Sequence, residues 1–191
     1  MTIARGRHRF TVDEYQEMIE RNILTEQDNV ELIRGEIVEK MTIGKRHAAT
    51  VKRLNLFFTL LSPGRYIVSV QDPVGLGDSV PEPDIALLAF RDDLYEFDTP
   101  TPADVLLLIE VADSSLEYDR TEKLSVYAEA GIREYWIANL NNDCVEVYRN
   151  PQPNGTYADA RVLKLGDTLD IAALPGVLVA VDHVVKTRRD R

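Results

Sequence analysis

Apolar positions along the chain follow two periods. Val12, Tyr15, Met18 and Ile19 recur at helical spacing, and so do His47, Val51, Leu54, Phe58 and Leu61. The first stripe opens on Thr11-Val12-Asp13-Glu14, a capping-box pattern, so a helix should start there and end near Arg21. The second predicts a helix from about His47 to Leu61, closed by Ser62-Pro63-Gly64. Strand-like runs lie at VELIRGEIVEKM, split at Arg34-Gly35, then at Tyr66 to Val70, Asp84 to Phe90, Val105 to Val111 and Glu134 to Ala138. CVEVYR, a run around Ala160 to Leu165 and two last apolar runs flanking Pro175-Gly176 follow. Between them, Gln71 to Val80, Arg91 to Ala103 and Ala112 to Tyr118 read as loops. Asp119, with Glu122 three residues on, resembles an N-cap for a helix that packs Leu124, Tyr127 and Ala128 inward and stops at Gly131. Helices alternating with strands predict an α/β or α+β fold, a mixed central sheet flanked by helices with a β-rich C-terminal part.

Composition narrows the class. The chain has 191 residues with no repeat and no linker, so a single domain over 1–191 is expected, frayed over 1–10 and 186–191. No apolar run reaches the length of a membrane span and the basic N-terminus lacks an apolar signal core, so a cytoplasmic protein with no membrane partner is expected. The lone cysteine, Cys144, excludes an internal disulfide and a cysteine-rich zinc site. The three histidines, His8, His47 and His183, show no ligand spacing. A net charge of −10 argues against broad attraction to nucleic acid, though not against a local basic groove or a screening metal. Basic residues gather at Arg5 to Arg9, at Lys45 to Lys52 and in the ending KTRRDR, where solvated faces and tails are the ordinary explanation.

The chemistry concentrates between Pro81 and Lys123. Asp84 opens one apolar run, Glu110 closes another, and Lys123 lies on the helix that follows. Two carboxylates on rigid strand ends suit a partly hydrated Mg²⁺, and a lysine beside them adds a cation for water or phosphate. Each residue also has a plainer reading. Asp84 and Glu31 read as exposed strand-end acids, His47 as a core histidine, Asp119 as a helix cap, and Lys123 as its i,i+4 ion-pair partner. Glu110 resists such a reading. It follows Leu106, Leu107, Leu108 and Ile109, a strand buried on both faces, where a carboxylate needs a partner, a proton or a metal.

Taken together, VELIRGEIVEKM, His47 opening its helix, PEPDIALL, LLLIEVADSS, DRTEKLSVYAEAGIREYWIANL and ALPGVLVAV resemble the Uma2 family, a branch of the PD-(D/E)XK restriction-endonuclease-like superfamily. The resemblance covers nearly the whole chain. It implies a metal-dependent phosphodiesterase site, with Asp84 and Glu110 as the acids and the Val111 carbonyl as a further metal ligand. The usual motif puts lysine two residues after the second acid, on the same strand face. Here that residue is Ala112, and Lys123 matches the lysine that the family carries on the next helix. Glu31, His47 and Asp119 also match family positions, Glu31 as a member of the catalytic set and the other two as further candidates.

The resemblance therefore implies a Mg²⁺-dependent endonuclease acting on DNA, with Mn²⁺ able to substitute; a homodimer is expected because double-strand cleavage needs two sites and the β-rich tail offers edge strands that could pair. The alternative is a catalytically inactive nuclease-fold protein that binds nucleic acid or serves in assembly. The acidic charge and Ala112 favour that alternative. A hydrolase using the two acids as acid and base ranks last, because no aromatic sugar platform accompanies them.

Overall fold

The computed structural model describes residues 8–61 and 63–187. Arg5 and Arg7 of the basic N-terminal cluster, Ser62 of the Ser-Pro-Gly turn, and residues 188–191 of the basic ending lie outside the described residues. Helix α1 spans Val12–Glu20 and carries the anticipated capping box: the Glu14 amide donates to Thr11 Oγ1 at 3.2 Å, and the Thr11 amide donates to Glu14 at 2.8 Å. Only Tyr15 of its stripe is buried, and Ile19 stays exposed. Just before the helix, Phe10 donates its amide to the Gly35 carbonyl at 2.8 Å, which holds this part of the N-terminal stretch.

Strands β1 (Val30–Ile33) and β2 (Glu36–Glu39) pair as a two-stranded hairpin. Its turn residues Arg34 and Gly35 take φ of 51° and 74°, the left-handed pair that matches the twist of a tight hairpin. A Cβ at position 35 would also sit 2.9 Å from the Phe10 carbonyl, so glycine is required twice over. Arg34 ties the hairpin to the helical layer through Glu122 at 2.8 Å and Glu129 at 2.6 Å.

Helix α2 (Lys45–Leu61) leads into a six-stranded sheet of β3 (Tyr66–Ser69), β4 (Ile85–Ala89), β5 (Val105–Ala112), β6 (Glu134–Asn139), β7 (Cys144–Gln152) and β8 (Thr156–Lys164). Spatial order equals chain order, and only β5 and β6 run parallel. The connection between those two is helical: α3 (Leu116–Tyr118), a π-turn over Asp119–Lys123, then α4 (Leu124–Glu129). Strands β9 (Thr168–Asp170) and β10 (Leu178–Ala180) form a second hairpin, and α5 (Val181–Val184) follows it.

The sheet is covered on both sides, which explains the continuous apolar run of β5. Leu107, Ile109 and Val111 face a core shared with Val51, Leu54 and Phe58 of α2 and with the C-terminal segments. Leu108 and Ala112 face a second core with Val126 and Tyr127 of α4. By strand alternation Glu110 belongs to this second face. Leu61, placed on the buried stripe of α2 from its spacing, is exposed where the helix runs past the sheet.

One local expectation fails. Asp119 does not cap a helix. Helical structure begins three residues earlier, at Leu116, and Asp119 is buried at the start of the π-turn. Its amide donates to the Ser115 carbonyl at 3.0 Å, so its carboxylate is free to accept from Ser115 Oγ at 2.6 Å instead of from helix amides.

Candidate active site

Asp84 immediately precedes β4, and Ile85 pairs with Ile109 of β5. That register sets Asp84 beside Glu110 on one face, and the Asp84 amide donates to Glu110 Oε2 at 3.3 Å. Asp84 Oδ2 accepts from the Val111 amide and contacts His47 Nε2, each at 2.9 Å, while Oδ1 accepts from Gln71 at 3.2 Å. His47 comes from the N-terminal end of α2, so one carboxylate is held by three separate segments.

Glu110 Oε1 accepts from the Tyr127 hydroxyl at 2.6 Å and from Lys123 Nζ at 3.0 Å. Lys123 also lies 3.3 Å from Glu31 Oε2, and that same oxygen accepts from the Glu82 amide at 3.2 Å. The ammonium therefore points into the protein, between two acids, with Asp119 a further negative neighbour. The π-turn over Asp119–Lys123 carries this arrangement. Asp119 and Lys123, four residues apart on one face, are both buried in it, and π-turns are common at functional sites.

Glu31, Asp84, Glu110, Asp119 and Lys123 line a cavity of about 560 Å³ whose only other lysine among the described residues, Lys40, is already paired with Glu82, so acids outnumber the two lysines. Burial pushes the Glu110 carboxyl up to about 8; Lys123 opposes the shift, and the charges of Asp84 and Asp119 add to it. Burial likewise lifts Asp119 to about 6, against the hydrogen bond from Ser115. For Lys123 burial disfavours the charge, but Glu110, Glu31 and Asp119 outweigh it and hold the ammonium above the ordinary lysine range. Protein charges alone thus leave the cavity short of positive charge.

That shortage is the test for a divalent ion. Asp84 Oδ1 and Glu110 Oε2 each accept only one long hydrogen bond, so both keep lone pairs for a cation. Among the described residues no group of three or more His, Cys, Asp and Glu side chains is arranged to hold a metal. An all-protein cage of the zinc type does not fit. A hard cation taking two carboxylates and keeping several waters does.

All the side chains singled out from the sequence, Glu31, His47, Asp84, Glu110, Asp119 and Lys123, thus meet at one cavity. Tyr127, Gln71 and Tyr118 were not singled out. Tyr127 carried a usable signal, because it lies four residues beyond Lys123 and falls near it on the same helical segment. Gln71 and Tyr118 reach the cavity from loop and helix ends that no periodicity marks.

A mixed sheet with one helical crossover between parallel strands, two acids at its strand ends and a lysine on the crossover make a nuclease-like fold. The Uma2 family model, described as "Putative restriction endonuclease", matches residues 12–182, and the chain belongs to that family. Among solved structures, a "putative nuclease belonging to DUF820" from Anabaena variabilis superposes with a TM-score of 0.71, covering 92% of this chain and 97% of that one. The two are 16% identical, so this likeness is one of fold. No curated protein matches the chain. Among the described residues no helix is long and apolar enough to cross a membrane.

Proposed function

We propose that the protein is a Mg²⁺-dependent endonuclease that hydrolyses phosphodiester bonds in DNA. The observation that carries this reading is the meeting of Asp84, Glu110 and Lys123 in one acidic cavity of a nuclease-like fold. Asp84 and Glu110 would hold the ion, and the carbonyl of Val111 would add a third protein oxygen. When bound, Mg²⁺ supplies charge stabilisation at the phosphate and acidifies water for attack.

The chain's own residues do the rest. His47, Gln71 and the Val111 amide fix the orientation of Asp84. Tyr127 and Lys123 fix Glu110, and Glu31 holds the ammonium in place from its other side. Lys123 then presents a positive charge to the attacking water or to the phosphate oxygens. In the balanced reaction the water oxygen forms a bond to phosphorus as it loses a proton. The bond from phosphorus to the leaving sugar oxygen breaks, and that oxygen takes up a proton. Ala112 leaves the usual lysine position apolar and fully buried, and Lys123 supplies the charge on the same sheet face from the crossover helix.

The second reading is a catalytically inactive nuclease-fold protein that binds nucleic acid or serves in assembly. It is favoured by the net charge of −10, which opposes broad DNA binding. Incubation with supercoiled and linear DNA separates the two. Nicking or cutting with Mg²⁺ or Mn²⁺, abolished by EDTA and by Asp84→Asn, supports the enzyme. No cleavage with either ion leaves the binding reading in its place.

A further inference from the structure

Among the described residues, three buried side-chain polar atoms lack a hydrogen-bond partner: His47 Nδ1, the Tyr118 hydroxyl and Arg149 Nε. Arg149 is explained by structure, because its terminal nitrogens bind Glu134 at 2.7 Å and Asp170 at 3.0 Å. The other two belong to residues that line the acidic cavity. Buried polar groups are ordinarily paired, so each of these two atoms is a place for a partner that is a water or a ligand. His47 already has a task through its other nitrogen, on Asp84. Tyr118 has none.

We propose that the Tyr118 hydroxyl, which solvent does not reach in this structure, turns into the cavity to donate a hydrogen bond to a non-bridging oxygen of the DNA phosphate. The inference rests on the nuclease reading above and names a residue that neither the sequence pattern nor the metal chemistry requires. Tyr118 is the last residue of α3, directly before the π-turn that brings Asp119 and Lys123 to the cavity. It therefore belongs to the same rigid segment as the lysine. Burial and the charge of Glu31 hold its phenol well above the ordinary tyrosine range, so it keeps its proton and remains a donor. A neutral donor suits this place. A further ammonium would pair with the surplus carboxylates, as Lys40 does with Glu82, and be lost to substrate, whereas a phenol leaves the acids free for a cation and still offers one hydrogen to an anionic oxygen.

Tyr118→Phe removes one oxygen and keeps the ring. The parent and the variant are compared on a short fluorescein-labelled DNA duplex. Binding is read by anisotropy with Ca²⁺ in place of Mg²⁺, and cleavage with Mg²⁺. The expected result is an affinity loss of about tenfold or more, the scale of a hydrogen bond to a charged group. The melting temperature should be unchanged, because no intramolecular hydrogen bond is removed. A phosphorothioate diastereomer that slows the parent should slow the variant less, since both changes strike one contact. Equal binding and cleavage by parent and variant would overturn the inference and leave the nuclease reading standing. A drop of several degrees in melting temperature would assign the hydroxyl a structural role and overturn it too. A parent that neither binds nor cuts DNA would remove both readings together.

Discussion

Replacing Lys123 by methionine deletes the ammonium and keeps most of the aliphatic volume. The lost nitrogen stands 3.0 Å from Glu110 and 3.3 Å from Glu31. At an effective dielectric of about 20, each contact is worth roughly 5 kcal/mol of Coulomb attraction. Desolvation of the ammonium takes back several kcal/mol, and the orphaned acids can bind protons, so the net destabilisation should be about 3 kcal/mol at pH 8. The loss should depend on pH in a definite direction. The folded-state pKa of Glu110, about 8, lies above its ordinary 4.5. Its proton therefore contributes stability that is complete below about 4.5 and is lost as pH rises through 8. Without Lys123 that pKa climbs further, so the variant loses stability over a longer pH range and the gap to the parent widens as pH rises. Urea unfolding of both proteins in EDTA at pH 5, 7 and 8 measures the gap. A difference under about 1 kcal/mol at pH 8, or one equal at pH 5 and pH 8, would show that the ammonium is not what holds the acids together.

The remaining expectations concern the same cavity and its supports. Glu110→Gln should flatten the pH dependence of stability between about 4.5 and 8 in EDTA, and should lower Mn²⁺ affinity at least tenfold by calorimetry. Asp84→Asn should lower Mn²⁺ affinity by a similar factor while circular dichroism shows the sheet intact. Arg34→Ala breaks half-exposed ion pairs and should cost only about 1 kcal/mol in urea unfolding. Cleavage should fall by a larger factor, because the hairpin bearing Glu31 loses its tie to the helical layer. If both strands of a duplex are cut, light scattering should show two copies of the chain; a monomer at high concentration would count against the dimer.

Much of the architecture was legible because it depends on local rules. The Thr11–Glu14 box, the Arg34-Gly35 turn and the apolar run of β5 each follow from a few neighbouring residues. Glu110 was visible for a related reason, as an acid on a strand too apolar to be exposed, whereas Asp84 stood out only by opening the neighbouring apolar run. The π-turn was not. Nothing in DRTEK distinguishes a helix expanded by one residue from a regular one, and the Asp119–Glu122 spacing imitates a cap. Tyr127 was taken as packing because its ring is apolar, and the role of its hydroxyl appears only once Glu110 is known to lie beside it. Glu31 read from its own residues as an exposed strand-end acid and entered the site only through the family resemblance, because its contact with Lys123 joins positions far apart in the chain.

The acid farthest from the main sheet in chain connectivity sits on the weakest element. Glu31 belongs to a ribbon of two four-residue strands, attached to the loop before β4 through the Leu32–Val80 bridge and the Gly35 amide bonded to Asp78. A two-stranded ribbon is only marginally stable by itself, so this one depends on the packing of Leu32 and Ile33 and on the ties of Arg34 to Glu122 and Glu129. Glu31 is crowded by the other acids and held by Lys123, so the charge of the cavity bears on how firmly the ribbon is seated. Amide exchange over 30–39 is expected to slow when a divalent cation neutralises the cavity, and exchange unchanged by Mn²⁺ would refute that coupling.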